Sequence, residues 1–211
     1  MTLAQELHVG LAALGLDLPA AMQSKLLGYV ALLSKWNRTY NLTAIRDEAE
    51  MVTQHLLDSL SVLSVVQESA LAGRRWADVG SGAGLPGIPL AIVRPDLDMT
   101  LIEAVAKKSA FQRQAKIELA LSNIDVVSRR VEEMPDGLFD AVISRAFAEL
   151  ADFVDVAGHL LAQNGRLYAM KGLVPEDEMS RLPPGWAVLD CARLSVPGLD
   201  AERHLIVLER V

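Results

Sequence analysis

Three glycines alternate at Gly80, Gly82 and Gly84, directly after the apolar run Trp76-Ala-Asp78-Val79 and just before the apolar stretch Leu85 to Val93. Glycine has no Cβ, so a turn built this way lets the backbone pass close to a bound nucleoside. Two ligand classes fit the spacing. Gly82-x-Gly84-x-x-Gly87 matches the dinucleotide pattern G-x-G-x-x-G, and Glu103 lies 19 residues beyond Gly84, near the distance expected of a ribose-binding acid. The second frame starts earlier, at Asp78-x-Gly80-x-Gly82-x-Gly84. The prolines separate the two. A dinucleotide rests its pyrophosphate on free N–H groups at the start of the following helix. Pro86 and Pro89 fall in that turn and have no N–H to offer.

The second frame resembles motif I of the Rossmann-like methyltransferases that use S-adenosylmethionine, a cofactor without phosphate. Further candidate residues follow from where strands end, because ligands of open α/β sheets sit at the carboxyl ends of the strands. Glu103 ends the run Met99-Thr-Leu-Ile and can accept both hydroxyls of a ribose. Arg130-Val131-Glu132-Glu133 follows the third strand, where this fold borders the adenine. Ser144-Arg145-Ala146-Phe147 follows the fourth, where transfer is expected. No polar-Pro-Pro-aromatic motif of exocyclic-amine methyltransferases stands there. An arginine at that point suits an anionic or ring-nitrogen acceptor.

The elements that must carry these residues are legible in the pattern. Residues 1–70 read as helical: Leu26, Leu27, Val30, Leu33 and Trp36 share one helix face, and Asp47 opens a further helix carrying His55, Asp58, Ser59 and Val62. Asp58 lies one helical turn from His55 and is placed to pair with it. From Arg75, strands are predicted over 75–79, 98–103, 124–128, 138–143, 165–170, 186–192 and 204–209. Helices are predicted over 85–93, 106–121 and 149–161. The alternation implies a parallel sheet covered on both faces, closed by an antiparallel hairpin of the last two strands. The expected organisation is an N-terminal helical extension, 1–70, acting as a substrate-side cap on an α/β domain, 71–211.

Composition narrows the setting. The chain has 211 residues, a net charge of −7 and a single cysteine, Cys191, which excludes an internal disulfide and a cysteine-based zinc cage. No metal site is expected. The opening residues lack a basic signal region and no apolar run is long enough for a bilayer, so a cytoplasmic protein without membrane contact is expected. The acidic balance opposes nonspecific nucleic-acid binding. It leaves room for local basic clusters at Arg74-Arg75, at Lys107-Lys108 with Arg113 and Lys116, and at Arg129-Arg130.

Over essentially its whole length the chain resembles the small-subunit ribosomal RNA methyltransferase G family, known as RsmG or GidB. The resemblance is carried by Trp36-Asn37-Arg38-x-Tyr40-Asn41-Leu42-Thr43, His55-Leu-Leu-Asp58-Ser59, Asp78 to Leu90, Lys107-Lys108, Arg130-Val-Glu-Glu, Ser144-Arg145-Ala-Phe, Met170-Lys171-Gly172 and Glu202-Arg203-His204. It implies the Rossmann-like class I fold with a seven-stranded, mostly parallel sheet. It also implies methylation of N7 of one guanosine in the decoding region of 16S rRNA. The expected partner is 16S rRNA within the small ribosomal subunit, and the expected state is a monomer. The family's cofactor contacts carry over to Gly80, Leu85, Val131, Glu132 and Arg145, joined by Gly82, Gly84 and Glu103 from the residue pattern. Arg38, Asn41, Lys171 and Arg203 are the expected substrate contacts. No catalytic acid or base is identified. Arg145 is the candidate for positioning, and His55 and His204 are expected to be structural.

Overall fold

The computed structural model describes residues 1–71, 74–145, 147 and 149–211. Ala146 of the segment after the fourth strand therefore lies outside the described residues. Helix α1 (Leu3–Ala13) starts on a Thr2 capping box, and α2 (Ala20–Tyr40) ends with Asn41 in the left-handed conformation at φ 49°. α3 (Glu48–Met51) is capped by Asp47, whose side chain accepts from the backbone of Ala49 and Glu50. The helix then loosens into a π segment, Val52–Leu57, before α4 (Asp58–Leu60) and a 3₁₀ turn at Ser61–Ser64. Single π turns inside helices are frequent at functional sites.

The sheet has seven strands: β1 (Arg75–Val79), β2 (Asp98–Ile102), β3 (Ile124–Val127), β4 (Phe139–Ser144), β5 (Leu161–Lys171), β6 (Trp186–Arg193) and β7 (His204–Arg210). Their order is β3-β2-β1-β4-β5-β7-β6. The first five are parallel, and β7 pairs antiparallel with both β5 and β6. The expected seven-stranded sheet with its terminal hairpin is present. β5 begins earlier than predicted, because the chain leaves α7 (Leu150–Ala157) through a short 3₁₀ turn at Gly158–Leu160. The short α8 (Glu176–Ser180), which periodicity did not mark, follows β5.

Strand side chains alternate between two cores. Trp76, Ala141, Ile143, Tyr168, Met170, Leu205 and Val207 face the N-terminal helices with α5 (Gly87–Val93) and α6 (Ala106–Glu118). Ala77, Val79, Val142, Leu167, Ala169, Ile206 and Leu208 face α7. The helices within residues 1–70 thus cover one face of the sheet and share its core. Leu26, Tyr29, Val30 and Leu33 of α2 are all buried in it. Tyr29 reaches furthest: its hydroxyl donates to Ala83 O at 2.8 Å, fixing the glycine turn from the helical layer.

The order reverses between β1 and β4. That is the switch point at which α/β sheets open a crevice at their carboxyl edge. No described helix is long and apolar enough to cross a membrane. Tyr29→Phe leaves the buried Ala83 carbonyl without its donor. It is expected to lower unfolding free energy by about 1–3 kcal/mol, read from the urea midpoint at unchanged m-value.

Candidate functional site

The turn after β1 is held by its own backbone and by groups from neighbouring elements. Gly80 N and Ser81 N donate to Ile102 O, Gly84 N and Leu85 N donate to Ser81 O, and Ile88 N donates to Gly84 O. Gly82 N donates to Glu103 Oε2 at 2.9 Å, and Gly87 N donates to Asp78 Oδ2 at 2.8 Å. Gln112 Nε2 donates to Ser81 Oγ and Gly82 O, both at 2.8 Å. Gly80, Gly82 and Gly84 all have positive φ, at 65°, 57° and 82°. At Gly82 an added Cβ would find only Gly80 O, 3.9 Å away. That face of the loop is open.

Two consequences follow for ligand chemistry. The N–H groups at the head of α5 are engaged by Asp78 and Gly84 or absent at proline, so no nest remains there for a pyrophosphate. Behind the loop, Asp78 is fully buried and its Oδ1 has no partner among the described residues. Burial pushes its carboxyl up to about 7, with Glu103 adding to the rise. In its ionised form such a carboxyl repels a phosphate and favours a cationic ligand.

Glu103 accepts from Gly82 N and, through Oε1, from Val105 N at 2.8 Å. It stands at the end of β2 and beside the glycines, as expected from its spacing. Each of its oxygens keeps a lone pair for a further donor. Val131 and Glu132 form a 3₁₀ turn after β3, half-buried and exposed respectively. They do not line the cavity described next.

Two cavities meet at the carboxyl edge. The first, about 180 Å³, is lined by Gly80, Ser81, Gly82, Ala83 and Leu85, with Leu42, Thr43, His55 and Arg145 opposite. The second, about 320 Å³, is bounded by Arg145, Lys171 and Arg203, with Ile45, Gln54, His55, Asp58, Met170 and Gly172. His55 and Arg145 line both and form the partition between them. A hollow of about 360 Å³ at the opposite, amino end of β4 contains none of the predicted site residues.

The partition is built around one carboxylate. Asp58 does not pair with His55 as its spacing suggested. Its side chain, 2 % exposed, accepts from Arg145 Nη1 at 2.8 Å and from Arg203 Nε at 2.9 Å. Arg145 Nη1 also donates to Gln54 O at 3.2 Å. His55 is engaged at both nitrogens. Nδ1 faces Gln54 O at 3.1 Å, so it carries the proton, and Nε2 accepts from the Thr43 hydroxyl at 2.9 Å. Burial, reinforced by Arg145, lowers the ring to about 4, so it is neutral at physiological pH. His204 Nδ1 donates to Gly172 O at 2.7 Å. Both histidines are thus hydrogen-bonded within the fold.

Four expected substrate contacts divide. Arg203 and Lys171 line the second cavity, but as members of ion pairs: Lys171 Nζ meets Glu178 Oε2 at 2.7 Å. Arg38 and Asn41 line neither cavity. They lie exposed at the end of α2, where Asn41 Oδ1 accepts from Arg46. The helical layer walls the cavities through Leu42, Thr43, Ile45, Gln54, His55 and Asp58, not through Arg38. Sequence reasoning missed Tyr29, Gln54 and Gln112 altogether. Among the described residues no group of His, Cys, Asp and Glu could hold a metal ion.

Comparison with known proteins gives a consistent picture. A family model described as rRNA small subunit methyltransferase G matches residues 22–206. A ribosomal RNA small subunit methyltransferase G from Azoarcus sp. is 56 % identical, covering 95 % of this chain and 93 % of that protein. The protein of the same description from Neisseria meningitidis is 53 % identical, with 98 % of each chain covered. Among solved structures, TrmN from Thermus thermophilus superposes with a TM-score of 0.58 at 20 % identity, over 76 % of this chain and 53 % of that one. A SAM dependent methyltransferase from Aquifex aeolicus gives 0.55 at 16 % identity, over 72 % and 90 %. These two establish likeness of fold.

Two outcomes are expected. Asp58→Asn leaves two guanidiniums sharing one neutral acceptor and costs about 1–3 kcal/mol of unfolding free energy. Adding Arg203→Gln restores part of that loss in a double-mutant cycle. For Asp78, the folded carboxyl titrates above the unfolded one, so its contribution to stability is full below about pH 4 and is lost as pH rises through about 7. Asp78→Asn removes that decline, measured as the difference between the two unfolding free energies across pH 4–8.

Proposed function

The chain belongs to the rRNA small subunit methyltransferase G family, and from this premise we propose that it transfers a methyl group from S-adenosylmethionine to N7 of a guanosine in the decoding region of 16S rRNA, acting on the small ribosomal subunit. One observation carries the reading. A glycine-lined cavity suited to a nucleoside cation abuts, across Arg145 and His55, a cavity bounded by three cations.

The residues present suit the cofactor. Gly82 leaves room for it, the loop makes no demand for phosphate, and the unpartnered Asp78 oxygen favours its positive charge. Gly80, Gly82, Gly84 and Leu85 would hold its amino-acid and sulfur end. Glu103 would take the ribose hydroxyls with its remaining lone pairs. Val131 and Glu132, on the neighbouring turn, would border the adenine. When bound, the cofactor supplies an electrophilic methyl on a sulfonium.

The protein's part is placement. Guanine N7 has an in-plane lone pair and no proton to lose, so no general base is required. His55, neutral and engaged at both nitrogens, provides none. Arginine donors read guanine at O6 and N7. Here the Arg145 and Arg203 guanidiniums, pinned by Asp58, would serve O6 and leave N7 free to face the methyl. Holding reacting atoms in line supplies up to roughly 7–11 kcal/mol in ideal cases. Residues 1–70 act as the substrate-side cap, with Arg38 and Asn41 as outer RNA contacts.

The site assignment is tested by contrast. Gly82→Ala places its Cβ where no protein atom lies, at a backbone cost of about 1–2 kcal/mol. It is expected to fold and to bind S-adenosylhomocysteine at least tenfold more weakly by calorimetry. Gly87→Ala would instead collide with Leu101 and Asp78 and lose stability. The wild type is expected to ignore NAD. The product is tested by mass mapping of 16S rRNA from a strain lacking this chain: an unmodified guanosine N7 supports the reading, and an unchanged modification pattern ends it.

A further inference from the structure

Four cations at the β2–β3 corner of the sheet take no part in either cavity. Lys107 and Lys108 open α6, directly after β2, and Arg129 and Arg130 follow β3. The two strands are paired at Ile102↔Val127, and Ser109 Oγ meets Ser128 Oγ at 2.8 Å. Both cation pairs therefore crown neighbouring strands at the carboxyl edge, the edge on which the cavities open. Lys107, Arg129 and Arg130 are exposed and Lys108 is half-buried.

Stability does not account for them. The first turn of a helix favours acids, and a cation there opposes the helix dipole by about 0.3–1 kcal/mol. The first turn of α6 has no acid and two lysines. None of the four has a carboxylate at ion-pair distance among the described residues, in a chain with 27 Asp and Glu against 20 Lys and Arg. The exposed Glu132 and Glu133 follow on the next turn, so the corner still carries a positive excess. The contrast with the second cavity is direct: Arg145, Arg203 and Lys171 each already hold a carboxylate. A phosphate met by the corner residues breaks no internal ion pair.

Building on the reading that this chain acts on RNA, we propose that Lys107, Lys108, Arg129 and Arg130 form a track for the RNA phosphate backbone, separate from the pocket that takes the target base. β3 stands three places from β4 in the sheet, about 14 Å at 4.8 Å per strand. The track therefore engages nucleotides flanking the target. Its contacts position the RNA without reading its sequence. This location differs from Lys171 and Arg203, the phosphate contacts suggested by the sequence.

The test measures binding of protein-free 16S rRNA against salt concentration, for the wild type, Lys107→Gln/Lys108→Gln, Arg129→Gln/Arg130→Gln and the fourfold variant. Each lost phosphate contact lowers the salt slope by about 0.7–0.9. The fourfold variant is expected to lose about three units and to bind at least tenfold more weakly at moderate salt, with each pair giving about half the change in slope. S-adenosylhomocysteine affinity is expected to stay at the wild-type value and Tm is expected not to fall, because the lysines oppose the α6 dipole, while KM for the small subunit rises more than kcat falls. An unchanged slope in the fourfold variant overturns the track. So does a wild type with no salt-dependent affinity for protein-free rRNA, because the proposed contact is to phosphate alone. A loss seen only with subunits carrying their proteins also overturns it and assigns the corner to a ribosomal protein. Methylation of small subunits by the wild type tests the functional reading separately, so the two can fail independently.

Discussion

The turn after β1 depends on side chains delivered by three other elements. Glu103 from the end of β2 takes Gly82 N, Gln112 from α6 holds Ser81 and Gly82, and Tyr29 from α2 holds Ala83. A loop with three glycines at positive φ has a large conformational entropy in the unfolded chain. These contacts fix it in one shape before any ligand arrives. They also decide its specificity, because every donor spent internally is withheld from a phosphate. The N-terminal helices therefore do more than cover the sheet. The loop they carry, at Leu42 and Thr43, and His55 on the π segment complete the wall of the first cavity.

Asp58 does for the second cavity what Glu103 does for the first. Two guanidiniums brought together repel each other, and a carboxylate with 2 % exposure between them fixes their relative position. The arrangement costs desolvation of a buried charge. In return, Arg145 is aimed from the end of β4 at the boundary between the cavities. It also reinforces the effect of burial, which keeps the His55 ring neutral near neutral pH.

Much of this was legible in the sequence, for physical reasons. Alternation of period two and a glycine-punctuated strand end are local signals, so β1, β2, β3, β4, β7 and the glycine turn stood out. The spacing of Glu103 from the glycines is fixed by one strand–helix–strand unit and could be counted. The Asp58 network could not. Its partners lie 87 and 145 residues away, and the nearer candidate, His55, is on the same helix and was the natural local guess. Gln112 and Tyr29 were hidden for the opposite reason: each sits on an ordinary helical face, where periodicity reports burial and not the hydrogen bond at the tip. Lys171 and Arg203 were recognised as cations at the right edge, but charge along a chain does not reveal which carboxylate will claim it.

The π segment at Val52–Leu57 gives the wall a counting property. A π turn closes with one residue more than an α turn, so this segment stores one residue that an α-helix would not need. Removing it and letting the segment revert to α leaves the residues on either side in nearly their present phase. Asp58 would still face Arg145 and Arg203, while the wall at Gln54 and His55 would lose a position. A deletion here therefore subtracts from the wall without turning the helix that carries it.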